Sequence, residues 1–181
     1  MSKLWFFAAF FICVNSVSSQ SKKEKKEQEQ EKRYKEMAAL VEKREIEFEA
    51  EWASAQQGAR INLIGNPNHV RIIGDSISVY LPYFGVRTGG GGAYGGGGGI
   101  KIENKIEDLE IEYDDKKRKI NLKFKAFDGT ENVEFYMSIF AGGNTNINAF
   151  SNTRSNISYD GRSELYKKEE KEGKEEKQDN E

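Results

Sequence analysis

From Ile46 onward, apolar and polar residues take turns along the chain. Ile46, Phe48, Ala50 and Trp52 alternate with Glu45, Glu47, Glu49 and Glu51, so one face of this segment is apolar and the other acidic. A period of two is the mark of a half-buried β-strand, because successive side chains of a strand point to opposite faces. The alternation returns at Ile61 and Leu63, at Val70 and Ile72, at Ile77, Val79 and Leu81, and at Ile100 and Ile102. It continues through Leu109 to Tyr113, Ile120 to Phe124, Val133 to Ile139, Ile147 to Ala149 and Ile157 to Tyr159. About ten short strands are predicted. Turn residues separate them: Asn66-Pro67-Asn68, Gly74-Asp75, Asp114-Asp115, Asp128-Gly129 and Gly142-Gly143-Asn144. Gly74-Asp75 and Asp128-Gly129 suit two-residue hairpins and the others longer ones, so neighbouring strands pair antiparallel.

Short strands with tight turns and one apolar face bury those faces together only by closing or stacking. The expected fold is therefore mainly β, an antiparallel meander that closes into a lipocalin-like barrel or a β-sandwich, with one charged helix at its N-terminal side. That helix is read from Gln20 to Arg44, where charged residues, Gln and Ala dominate and the pairs Glu29/Arg33 and Glu31/Lys35 have the spacing of helical neighbours. In its second half Tyr34, Met37, Ala38 and Val41 form a narrow apolar stripe able to dock on the domain.

The two ends of the chain follow other patterns. Residues 1–19 read as a signal peptide: Lys3, an apolar run from Leu4 to Val14, then small residues up to Ser19. Cleavage is expected before Ser19 or Gln20, which removes Cys13 and leaves no cysteine, no disulfide and no transmembrane segment. The expected location is outside the cytoplasm, in the periplasm or cell envelope. The domain is expected over residues 45–163, and residues 164–181 as a charged, disordered tail with Leu165 and Tyr166 as its sizeable apolar groups.

The 181 residues carry 28 basic and 30 acidic side chains, a formal net charge of -2, so no single-sign field is available for nucleic acid. Candidate chemistry is sparse. The glycine-rich stretch from Gly89 to Gly99 lacks the Lys-Ser/Thr ending of a phosphate loop, since Ile100, Lys101 and Ile102 follow in strand pattern. It reads as a loop joining two strands, with Tyr94 as its only large contact group. His69, the single histidine, has no second histidine or thiol with which to hold a metal. Serines such as Ser76, Ser78, Ser155 and Ser158 have only His69 as a possible base. No catalytic residue, metal ligand or cofactor is assigned on these grounds. The most distinctive patch is Leu81-Pro82-Tyr83-Phe84-Gly85, where Tyr83 and Phe84, with Tyr94, would rim an apolar cavity if the barrel has an open mouth. Asn156-Ile157-Ser158 matches the N-glycosylation acceptor of eukaryotic secretory pathways.

Several of these segments, taken together, resemble a known family. Phe48 and Ala50 in strand pattern, Gln57-Gly58, Ile61-Asn62-Leu63, Gly74-Asp75, Leu81-Pro82-Tyr83-Phe84-Gly85 and Gly98-Gly99-Ile100 are followed by Ser151, Arg154-Ser155 and Ile157-Ser158-Tyr159-Asp160-Gly161. This set is similar to that of exported Bacteroidetes domains of unknown function, the DUF4251 family, over roughly Glu45 to Ser163. The resemblance implies an all-β envelope domain and no activity to carry over. The expanded glycine loop, the charged helix and the tail depart from the family pattern. In such a bacterium Asp75-Ser76-Ile77 also resembles a short O-glycosylation sequon, with Ser76 as the acceptor.

Two functions remain on these grounds. The first is a non-enzymatic module that binds an envelope protein or a surface. The alternative is a carrier of a small apolar ligand, held at a barrel mouth by Tyr83, Phe84 and Tyr94.

Overall fold

The structure is a computed structural model that describes residues 5–56, 58, 60–87, 99–127 and 129–168, with side chains described from residue 22 onward. One helix, α1 (Trp5–Lys43), precedes ten strands. These are β1 (Glu45–Ala55), β2 (Arg60–Asn62), β3 (His69–Ile73), β4 (Ser76–Leu81), β5 (Ile100–Lys105), β6 (Glu107–Asp114), β7 (Lys119–Phe127), β8 (Asn132–Phe140), β9 (Asn144–Ser151) and β10 (Ile157–Leu165). Each strand coincides with a run of alternation in the sequence. The helix begins at Trp5, well before Gln20, and β10 runs to Leu165, two residues past the expected end of the domain. The connection after β7 spans residues 128–131, longer than an Asp128-Gly129 hairpin.

All strands join one antiparallel sheet in the order β5-β4-β3-β1-β10-β9-β8-β7-β6, with β2 paired to β1. The sheet curls into a nearly closed barrel. The first and last strands close it on one side, pairing from Ile46 opposite Leu165 to Ala55 opposite Ile157. On the other side the chain passes from β5 to β6 through Ile106 alone, without a turn. β5 bonds to β4, whereas β6 bonds to β7, so one extended run changes partner part-way along. Counted as one stave, β5 and β6 make the ring eight staves round, the number that leaves a barrel interior just wide enough for side chains. Asn104 ties the seam, its Nδ2 donating to the Phe127 carbonyl at 3.1 Å.

Inward positions fill that interior. Phe48, Phe124, Phe135, Ile120, Ile139, Ile147 and Tyr159 are wholly shielded from solvent, and the Phe124 and Phe135 rings stack at 5.1 Å. The second half of α1 covers one end of the barrel. Tyr34, Met37 and Val41 are buried there, and full burial of such side chains contributes roughly 1.5–3 kcal/mol each before entropy is counted. Tyr34 donates to an Asp115 carboxylate oxygen at 2.6 Å, and burial, followed by that carboxylate, pushes the phenol up to about 12. The charged residues from Lys22 to Lys32 stay largely exposed, with Lys35 and Glu31 at 3.3 Å among their spaced pairs.

One buried side chain stands in for a strand. Above Phe48, β1 loses β3 as its neighbour, and β2 takes over only at Trp52. Asn68 fills the gap, accepting from the Ala50 N–H at 2.7 Å and donating to the Ala50 carbonyl at 3.0 Å. Asn68→Ala leaves both backbone groups without that partner, and is expected to lower stability by about 1–3 kcal/mol in urea unfolding. An unchanged midpoint would show that the two groups find other partners.

Candidate functional site

The end of the barrel opposite α1 is where the residues flagged in the sequence come together. After β4, the segment from Pro82 to Arg87 runs across this end and meets the connection between β9 and β10. Ser155 N–H donates to the Val86 carbonyl at 2.9 Å, and Val86 N–H donates to Ser155 Oγ at 3.1 Å. The Tyr83 hydroxyl lies 2.9 Å from the carbonyl and from the Oγ of Ser155, and 3.0 Å from the Val86 carbonyl. With a single proton it donates to one carbonyl at a time. Beneath, Tyr159 donates to the Pro82 carbonyl at 2.7 Å; burial raises its phenol far above the ordinary value.

Glu131 holds the third side of this closure. It comes from the β7–β8 connection, and its side chain is 1% exposed. One carboxylate oxygen accepts from the Ser151 hydroxyl at 2.6 Å and from the Thr153 hydroxyl. The other accepts from Nε of Arg154, itself 5% exposed, and lies 3.7 Å from a guanidinium nitrogen of Arg87. The Arg154 guanidinium also sits over the Tyr83 ring, 5.1 Å from its centre. Burial by itself would raise the Glu131 carboxyl, but the bonds from Ser151, Thr153 and Arg154 outweigh it and hold the group below its ordinary value. A carboxylate engaged on both oxygens is built to fasten three chain segments together; it is not placed to take up a proton from a substrate.

A model of the family described as domain of unknown function DUF4251 matches residues 28–163. The chain belongs to the DUF4251 family. Among solved structures it is similar to the crystal structure of a DUF4251 family protein from Bacteroides eggerthii. The two are 17% identical with a TM-score of 0.57, over 74% of this chain and 87% of that one, a likeness of fold. No curated protein matches the chain.

Within this DUF4251 domain, the sequence-flagged residues divide. Tyr83 belongs to the closure just described, and Phe84 beside it is 37% exposed. Tyr94 lies outside the described residues. Ser76 is exposed at the first position of β4, beside the Gly74-Asp75 hairpin. His69 lies on the outer face, with Nε2 2.9 Å from Ser78 Oγ. That is a nucleophile and base distance, yet a working pair also needs a group that orients the imidazole and donors for an oxyanion. The Ser78 backbone is committed to ladders with Arg71 and Glu103, and the charged neighbour Glu47 is bonded to Arg71 at 2.6 Å. Among the described residues no group of histidine, cysteine, aspartate and glutamate is arranged to hold a metal ion. Glu131 and Arg87 had no mark in the sequence, where each looks like any polar residue beside a turn. Arg154 appeared only within the family pattern.

Two titrations follow. The His69 pKa is lowered below 6.5 by burial and then by the Arg71 charge, so the unfolded chain takes up this proton first as pH falls. The neutral imidazole therefore adds stability fully present above 6.5 and lost below it, and His69→Gln should flatten that limb of a stability–pH curve. The Glu131 pKa is lowered from 4.5, so its contribution is present above that value and lost as pH falls further. Glu131→Gln removes the carboxylate charge that faces the buried Arg154 guanidinium. It should cost about 3–5 kcal/mol at neutral pH, and less in acid. An equal cost at both pH values would contradict the ionised pair.

Proposed function

We propose that this chain is an exported, non-catalytic module of the cell envelope that binds a protein or a surface with the outside of its barrel. The observation that carries this reading is the filled and closed interior. Aromatic and branched side chains occupy the middle, α1 covers one end, and Tyr83, Ser155, Arg154 and Glu131 fasten the other. The apolar run from Leu4 to Val14 supports export. The exposed charged half of α1 supports contact with other molecules: Arg118 of the domain holds Gln30 and Glu31, while Lys22, Lys23, Lys25 and Lys26 stay exposed. A carrier of small apolar molecules needs internal space that Phe48, Phe124, Phe135 and Tyr159 already fill.

A fluorescent fatty-acid analogue separates the two readings. Titrated into the intact protein, it should give no saturable signal; saturation at one probe per chain would favour the carrier. Capture from envelope extracts should in turn lose partners when Lys22, Lys23, Lys25 and Lys26 are changed to Glu, and an unchanged partner set would remove the helix from the reading. We also propose Ser76 as a glycan acceptor, supported by its exposure beside a hairpin. Protein from its own host should then be heavier than its polypeptide, and Ser76→Ala should abolish the excess.

A further inference from the structure

The outside of the barrel has two unlike halves. Across β1 and β3 it is charged, with Glu47, Glu49 and Arg71 around a hollow of about 430 Å³. Across β7, β8 and β9 it carries rings and carboxamides in register. Lys123, Tyr136, Asn148 and Ser158 lie directly opposite one another in one row, and Asn121, Ser138, Asn146 and Asp160 in the next. These side chains are ordered by each other: Ser138 donates to Asn121 at 2.9 Å, Asn148 to Asn146 at 2.8 Å, and Asn146 to Asp160 at 2.9 Å. Tyr136, 41% exposed, meets the half-buried Phe150 edge to face at 5.4 Å. Phe150 in turn lines a hollow of about 550 Å³ at the barrel rim, together with Phe127, Asn132, Asn152 and Asn156.

We propose that this rim hollow, continued by the ring and amide rows below it, is a binding site for a neutral saccharide chain. The proposal rests on the reading that recognition uses the barrel's outside, and names the ligand class. A sugar ring offers a C–H face, which packs on the negative face of an aromatic ring, and a rim of hydroxyls that both donate and accept. A carboxamide matches such hydroxyls because it carries a donor and an acceptor in one plane. The charges present are neutralised locally, so nothing selects an anion: Lys123 pairs with Glu134 at 3.5 Å and Lys125 with Asp108 at 2.8 Å. A lipid chain would strip water from the amides and return no hydrogen bond. A peptide strand would need an open sheet edge, and β7, β8 and β9 each have a neighbour on both sides.

The test is calorimetric titration of the full chain with neutral oligomers of glucose, mannose, galactose and N-acetylglucosamine. At least one should bind saturably. Tyr136→Ala, Phe150→Ala and Asn152→Ala should each weaken that binding, the ring changes by about tenfold, an effect of the size expected for losing one aromatic contact. Tyr80→Ala, an exposed ring on β4, should leave it unchanged, and thermal unfolding checks that each variant is folded. Binding untouched by the three variants would overturn the site. Failure of every oligomer to bind would overturn the saccharide proposal. If capture of envelope partners persists in that case, the outside-binding reading stands without it; saturable uptake of the fatty-acid analogue would overturn that reading itself.

Discussion

The ladder between β1 and β10 is the constraint on which the rest of the molecule depends. It joins the first strand of the sheet to the last, so it forms only when the whole domain has been wrapped round. Its register is narrow: at the bulge between Ala50 and Trp52, Gly161 lies so close to β1 that a Cβ there would stand 2.0 Å from the Glu49 carbonyl oxygen. Glycine is required at that point because the approach is between two backbones, neither of which can yield. With this ladder in place the apolar faces of all the staves point at one axis, and side chains replace solvent along it.

The two ends of the barrel are then closed by different means. At one end α1 lays Tyr34, Met37 and Val41 over the core, an apolar contact anchored by the Tyr34 phenol on Asp115 and by Arg118 on Gln30 and Glu31. At the other end the closure is polar, with Glu131 drawing together the turns after β7 and β9 and the segment after β4. A buried ion pair of this kind is a poor source of net stability, because both charges have been taken out of water. Its effect is geometric: three segments from distant parts of the chain have one arrangement in which that carboxylate is satisfied. On the function proposed above, recognition falls to the exterior of a domain sealed in this way.

Much of the fold was legible because alternation is a local property. The inward set from Ile120 to Phe124 and from Val133 to Ile139 can be read two residues at a time, and the turns at Gly74-Asp75 and Gly142-Gly143 announce themselves by composition. What could not be read is what depends on residues far apart in sequence. Glu131 and Arg154 are separated by 23 positions, and nothing near either marks it as buried. The run through Ile106 carries no glycine or proline, so its change of partner, which completes the ring, is not marked by the composition that marks the other turns. The outer rows of Tyr136, Asn146, Asn148 and Phe150 were hidden for another reason. Each is merely the polar-facing position of its own strand, and only the register between strands turns them into one surface.

Amide hydrogen exchange, followed residue by residue in the native protein, tests the closed ring most directly. Exchange reports the free energy of the opening that frees each amide, and amides released only by global unfolding share the highest protection. If the ladder between the first and last strands holds the barrel together, the paired amides of β1 and β10 belong to that slowest group along with those of β7 and β8. Fast, local exchange along β1 or β10, with β7 and β8 still protected, would mean an open sheet and would contradict the account.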